Sequence, residues 1–438
     1  MATRPSGADG GADSEPDDAG QAVEEVEGAL LEGDRAFVGG TARAAFRHRQ
    51  FRTVYLGAFA SNIGTWMQNV VLGALAYDLT GSGIFVGVII AAQLGPLLVL
   101  SIVGGALADS LDRKKLLIAL SLQQAAFSLL LALVATSADP NKVVLVLVVL
   151  AIGIGTSLYA PTFSAVVPLL VPRRDLAGAI SLNSVQMNAS RVIGPAIGSV
   201  LFTRFGASWV FLLNAVSYAT VIVAVLRVPL PRPLASGTQG MHRLLEGIRY
   251  VRAHRVEGQA IAVIFTFSLL SLPFITQLPK LADENLGIAA RSEAYGLLYA
   301  AFGLGAVTGA LSIGTLLAPY DKVRVTRIGL GVFAVLLTAF GLLRAPAPAF
   351  PVIFAVGAAY FAVITSLSTV LQQNLDDRVR GKVMALWIMG FGGTVPFGGL
   401  AGGWLAEQTS ITTMVVVGAA VAATLALAVD LRPDTDEA

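Results

Sequence analysis

Twelve apolar runs recur along the chain, each near the length of about 20 residues that an α-helix needs to cross a hydrocarbon core. They cover about 53–77, 83–107, 114–136, 142–170, 177–203, 207–227, 258–281, 293–317, 324–344, 350–374, 381–406 and 411–430. Runs of this length leave no room for a soluble core. In lipid every backbone polar group must be satisfied within its own segment, which makes each run a helix. The charge content agrees: 13% of the 438 residues are charged, about half the share of an ordinary soluble chain. The fold expected is therefore an all-α integral membrane protein with twelve transmembrane helices.

The segments between runs carry the charge and set the orientation. With the N-terminus inside, inner loops and tails hold 24 Lys and Arg against five on the outer side (Lys142, Arg204, Lys280, Arg291, Arg344), and Arg191 lies within a run. This asymmetry places both termini in the cytoplasm of an inner or plasma membrane. Residues 1–40 carry ten acids and two arginines and are expected to form a disordered acidic tail. The first apolar run is expected to serve as the targeting element. Residues 228–257, opening with Pro229, Pro231 and Pro233, form the one long connection. Leu244, Leu245, Ile248 and Val251 fall near one helical face there. This is expected to be an amphipathic helix, either lying on headgroups or forming a solvated linker.

The two sides of that linker resemble each other. Gly178 and Gly381 enter their runs 203 residues apart, and Gly105-Ala-Leu recurs at Gly309, 204 residues on. A six-helix bundle at 41–227, the linker, a second bundle at 258–430 and a tail at 431–438 follow as two pseudo-symmetric, duplicated halves.

Between the second and third runs stands Gly105-Ala-Leu-Ala-Asp109-Ser-Leu-Asp112-Arg113-Lys114. It resembles the loop signature of the major facilitator superfamily, with Asp112 where that pattern has Gly. Arg191-Val-Ile-Gly194-Pro195-Ala-Ile-Gly198 resembles the Gly-Pro motif of antiporter-type exporters, without its leading glycine. Asn62 through Gln68, followed by Leu79-Thr-Gly-Ser82, is similar to the transmembrane secretion effector branch, which takes in efflux proteins for siderophores, macrolides and other drugs. The resemblance implies the major facilitator fold and secondary transport by alternating access, with proton antiport and a role in antibiotic resistance. The arginine motif that proton antiporters often carry in the fourth helix is missing from 142–170.

The residues divide into a gate and a cavity. Asp109 is expected to face the start of the eleventh helix, Arg380-Gly381-Lys382, where a helix N-terminus attracts a carboxylate. Arg113 and Lys114 would hold it or grip anionic lipid, and the alternative is that these cations only enforce topology. Arg191 would be a substrate or coupling contact, or a structural arginine tied to carbonyls near Gly194 and Pro195. Asn62, Trp66 and Asn69 share an arc of the first helix and Asn183, Gln186 and Arg191 a face of the fifth. Gln93, Tyr159, Gln277, Gln372 and Trp387 complete the candidate lining, which is amphipathic and nearly uncharged. No Asp or Glu stands in the middle of a run.

Several chemistries drop out. The chain has no cysteine and three histidines, all in charged segments, so a metal centre is not expected. The glycines of the eighth and eleventh runs lie inside apolar helices rather than after a strand, so no nucleotide loop, cofactor or enzymatic activity is expected. A net charge of +2 gives no reason to expect nucleic acid. The expected partners are a small organic substrate, membrane lipids and, through the resemblance, a proton, with the chain acting as a monomer. Two other readings stay open: lysophospholipid translocation or solute uptake on the same scaffold, and a membrane receptor or assembly protein that transports nothing.

Overall fold

A computed structural model describes residues 40–230 and 240–431, without the side chains of 101–106, 108–110, 240–244 and 377–378. The expected tail at 1–40, all but its last residue, and the tail at 431–438, all but its first, lie outside the described residues, as do the surroundings of Gly105 and the side chain of Asp109.

The described chain is helical. The first half comprises α1 (Ala42–Arg47), α2 (Arg49–Thr80), α3 (Gly83–Ser110), α4 (Arg113–Val134), α5 (Lys142–Val166), α6 (Leu176–Phe205) and α7 (Ala207–Leu226). The linker contributes α8 (Gly240–Ala253). The second half comprises α9 (Arg255–Leu270), α10 (Pro273–Thr276), α11 (Leu278–Leu286), α12 (Glu293–Gly314), α13 (Lys322–Leu342), α14 (Pro346–Asn374), α15 (Asp377–Ile388), α16 (Val395–Gln408) and α17 (Ile411–Ala428). Ten helical stretches are long and apolar enough to cross a bilayer by length and composition. The other two long helices, α2 and α6, have 32 and 30 residues and carry the polar faces. Leu129, Leu133, Leu147, Val216 and Val335 are exposed around the belt, as side chains bathed in lipid are.

Caps explain where the spans begin. Ser82 Oγ accepts the Phe85 amide at 3.2 Å and Ser292 Oγ accepts the Tyr295 amide at 3.2 Å. Asp112 caps Lys114 and Lys115 at the start of α4, and Asp321 caps Val323 and Arg324 at the start of α13. Each cap satisfies amides left without partners in the first turn. The two pairs occupy equivalent places in the two halves. Asp112, a departure from the family loop pattern, is thus a helix start.

Packing repeats in the same way. The α3–α5 and α4–α7 contacts of the first half recur as α12–α14 and α13–α17 of the second. The halves meet along α3 with α16 and along α6 with α12, two pairs that the same pseudo-twofold exchanges. The eleventh span is broken between α15 and α16 by a π-helical turn, Met389–Gly393, ahead of Pro396. The proline lacks an amide to continue the ladder, while Gly390 leaves space for Phe265 and Gly393 for Leu98.

One end of the bundle carries α8 and is called the linker end; the opposite end is the far end. At the linker end the first described residues are pinned: His48 Nε2 lies 2.8 Å from Asp175 Oδ2, and the Gly40 amide donates to Asp175 Oδ1 at 3.1 Å. The linker helix α8 rests on α15, with Gly247 against the Lys382 carbonyl and Glu246 paired to Lys382 Nζ at 2.5 Å.

Candidate functional site

At mid-depth, where the halves meet, Arg191 of α6 lies between two aromatic rings. Its guanidinium carbon is 5.0 Å from the Trp66 ring centroid on α2 and 4.8 Å from that of Phe361 on α14. Trp66 belongs to the first half and Phe361 to the second, so the cation bridges them. The Tyr299 and Tyr360 phenols stand within coulombic reach. Arg191 Nη1 is buried and has no hydrogen-bond partner among the described residues. Nor does a described carboxylate pair with it. Cation–π contacts are worth about 0.5–2 kcal/mol, whereas a guanidinium at the centre of a bilayer costs at least about 2.5 kcal/mol. The two rings together offset about 1–4 kcal/mol, the same order as that cost, and leave Nη1 without a hydrogen bond. Gln186, one and a half turns before Arg191, is buried with both amide atoms unpartnered, and so is Ser190 Oγ.

The Gly-Pro stretch positions this arginine. A Cβ at Gly194 would come within 2.5 Å of Trp66 Cβ, so only glycine lets α6 approach α2 this closely. On the other side, a Cβ at Gly303 of α12 would lie 3.2 Å from the Arg191 carbonyl. Gly198 packs on Met67 in the same way. Pro195 is buried inside α6. The motif thus brings three helices together around Arg191.

The remaining candidates separate by environment. Asn62 Nδ2 reaches Met187 Sδ at 3.5 Å, and Asn69 Oδ1 accepts Gln93 Nε2 at 2.5 Å, tying α2 to α3. Tyr159 stacks on Phe163 with centroids 5.7 Å apart. Asn183 is half-buried beside the Arg191 face. Gln372 is exposed and donates to Ser368 Oγ at 2.9 Å, while Trp387 is buried on α15. Gln277 lies at the far end instead, where Nε2 donates to the Gly83 and Gly399 carbonyls, each at 3.0 Å. It ties together the second, seventh and eleventh spans.

That far end is sealed. Glu407 of α16 accepts the Ile84 amide at 3.0 Å and the Ser82 hydroxyl, which places its carboxylate on the N-terminus of α3. Beside it Lys280 pairs with Glu284 at 2.5 Å and lies over the Tyr77 ring, while the Tyr77 hydroxyl donates to Asp283 at 3.2 Å. Arg204 meets Glu293 at 3.2 Å across the α6–α12 contact. Of these, sequence reasoning missed Glu407, although it is the sole carboxylate between Asp377 and Asp430.

At the linker end, Lys114 Nζ donates to the Leu226 and Val228 carbonyls, both at 2.9 Å. This cation closes the end of α7. Lys382 engages Glu246 of the linker helix, and Gly381 has open space around it. Asp109 sits near the end of α3, with its carboxylate outside the description.

Residues 40–437 match the family described as transmembrane secretion effector. The chain belongs to this family of the major facilitator superfamily. Its relatives include the enterobactin exporter EntS of Escherichia coli O1:K1, 29% identical over 346 residues, which is 78% of this chain and 81% of that protein. EntS of Escherichia coli O81 is 30% identical over the same shares. Among solved structures, the nucleoside transporter NupG superposes with a TM-score of 0.68 at 15% identity, over 87% of this chain and 98% of that one. A bacterial homologue of the iron transporter ferroportin gives 0.67 at 16%, over 86% and 97%. The family match thus makes the chain a membrane transporter, and its long apolar helices are those of a multi-pass membrane protein.

Proposed function

We propose that this chain is a secondary active exporter of small organic molecules, working by alternating access between the two halves. The observation that carries the reading is the mid-depth junction. Polar and aromatic side chains from both halves converge there on one cation that has no carboxylate partner among the described residues, beneath a far end closed by hydrogen bonds. A site near the midplane at the interface of duplicated halves is where rocking of one half against the other exposes each side in turn. The exporter relatives support the direction, and a siderophore-like or drug-like solute is the substrate class this suggests. Proton exchange is the proposed driving force. The far end faces outward and both termini lie in the cytoplasm of the inner membrane, as the excess of inner Lys and Arg supports.

In this reading Asp109 latches the linker end against Arg380-Gly381-Lys382 when that end closes, and Asn62, Trp66, Asn183, Gln186 and Arg191 line the path. The test is efflux of dyes and growth inhibition in a pump-deficient host, with and without an uncoupler. Uncoupler-sensitive export is expected, and Asp109→Ala should reduce it with the protein still folded and inserted. Equal accumulation in cells with and without the protein, across the panel, would exclude the reading.

A further inference from the structure

Arg191 presents an unusual balance. Its guanidinium carbon lies over both the Trp66 and the Phe361 ring, and its N–H donors point out along the edge of the guanidinium plane. At that edge Nη1 is buried with nothing to bond, and on the facing α14 the Tyr360 hydroxyl is likewise buried and unpartnered. Tyr360 is itself one of the largest fully buried side chains, held among Phe267, Phe302, Phe333 and Phe361. Two unused donors thus stand in an aromatic setting: the Arg191 cation where the halves meet, and the Tyr360 hydroxyl beside Ser268 in the second half, within coulombic reach of it.

We propose that Arg191 and Tyr360 form an anion-accepting subsite, and that the substrates it selects are aromatic or flat-ringed molecules bearing a carboxylate, sulfonate or phenolate. This rests on the transporter reading above and adds the charge class of the solute. A buried cation without a counter-ion attracts the group that neutralises it, and charge-assisted hydrogen bonds are roughly twice as strong as neutral ones. The surrounding rings favour a π-face on the rest of the ligand. Phe361 and Tyr360 belong to the second half while Arg191 belongs to the first. Separation of the halves therefore bares Nη1, and an anion between the two donors draws them together again. Coupling between substrate and conformation follows, because the ligand binds one arrangement better than the other.

The experiment compares two nearly isosteric fluorescent probes, anionic 1-anilinonaphthalene-8-sulfonate and neutral N-phenyl-1-naphthylamine. Both are titrated against the full chain in phosphatidylcholine nanodiscs, with empty nanodiscs subtracted. Arg191→Gln should weaken the anionic probe about tenfold or more, Arg191→Lys should recover part of that, and the neutral probe should change less than about twofold. Tyr360→Phe, which keeps the ring, should weaken the anionic probe alone. Unchanged affinity for the anionic probe in Arg191→Gln would overturn the subsite. So would equal weakening of both probes in Arg191→Gln, if Tyr360→Phe also fails to discriminate between them. Binding is read without transport, so charge-selective binding by a chain that moves nothing in vesicles would sink the export reading alone. Transport without charge selectivity would sink the subsite alone.

Discussion

Glu407 Oε1 accepts the Ile84 amide at 3.0 Å, so a side chain of the second half holds the first turn of a helix in the first. Carboxylates are favoured at helix N-termini by about 0.3–2 kcal/mol. Glu407→Gln should therefore raise the population open at the far end by between about twofold and thirtyfold. The chain has no native cysteine, and Thr276 is buried beneath the seal beside Gly399. Maleimide labelling of Thr276→Cys, applied from outside the cell, should accelerate when Glu407→Gln is added. An unchanged labelling rate would show that Glu407 does not hold the seal.

Gly194 and Gly73 make a matched pair. A Cβ at Gly194 runs into Trp66, while one at Gly73 meets nothing within 4 Å. Gly194→Ala should destabilise by about 1–3 kcal/mol through overpacking. Gly73→Ala should be neutral or stabilising by up to about 1 kcal/mol, since alanine is the better helix former. Chemical denaturation in detergent, followed by helical signal, measures both.

Asp175 is bonded by His48 and the Gly40 amide, and these bonds, the His48 contact first, hold its carboxyl below the usual carboxylate range. A lowered carboxyl stabilises the folded state fully above the ordinary carboxylate pKa. That contribution is lost as pH falls through the lowered folded value. The difference in melting temperature between the native chain and Asp175→Asn should thus stay constant from pH 7 to pH 5 and shrink only in stronger acid. Hydrogen exchange at 42–47 should rise in the mutant at neutral pH. A difference in melting temperature that already collapses near pH 6 would point to another group.

Lys114 provides the last test. Its ammonium closes the end of α7 through two carbonyls. Lys114→Met should lower stability by about 1 kcal/mol, with export per folded molecule kept. Lost export at unchanged stability would return Lys114 to the gate.

The fold was legible because lipid imposes it. Apolar runs and charged loops follow from the solvent, the repeated landmarks at Gly178 and Gly381 from duplication, and none of these needs knowledge of contacts. Arg191 stood out for the same reason, since a charge inside an apolar run is costly anywhere. Its neighbours did not. Phe361, Tyr299 and Tyr360 are aromatic residues in apolar helices, and nothing in their spacing separates a ring facing a cation from a ring in a core. Gln277 looked like a cavity amide but spans two carbonyls at the far end, because the break before Pro273 turns it there. Lys114 stood in a gate signature, yet its reach to α7 depends on which helix ends lie beside it.

The far-end bonds converge on one spot. Ser82, Gly83 and Ile84 together receive or donate the contacts of Gln277 and Glu407, so the fastening of the second, seventh and eleventh spans has a single knot. A knot of this kind is not undone strand by strand. Freeing one bond leaves the others holding the same three residues, and this part of the far end yields in one step with a sharp threshold rather than by degrees.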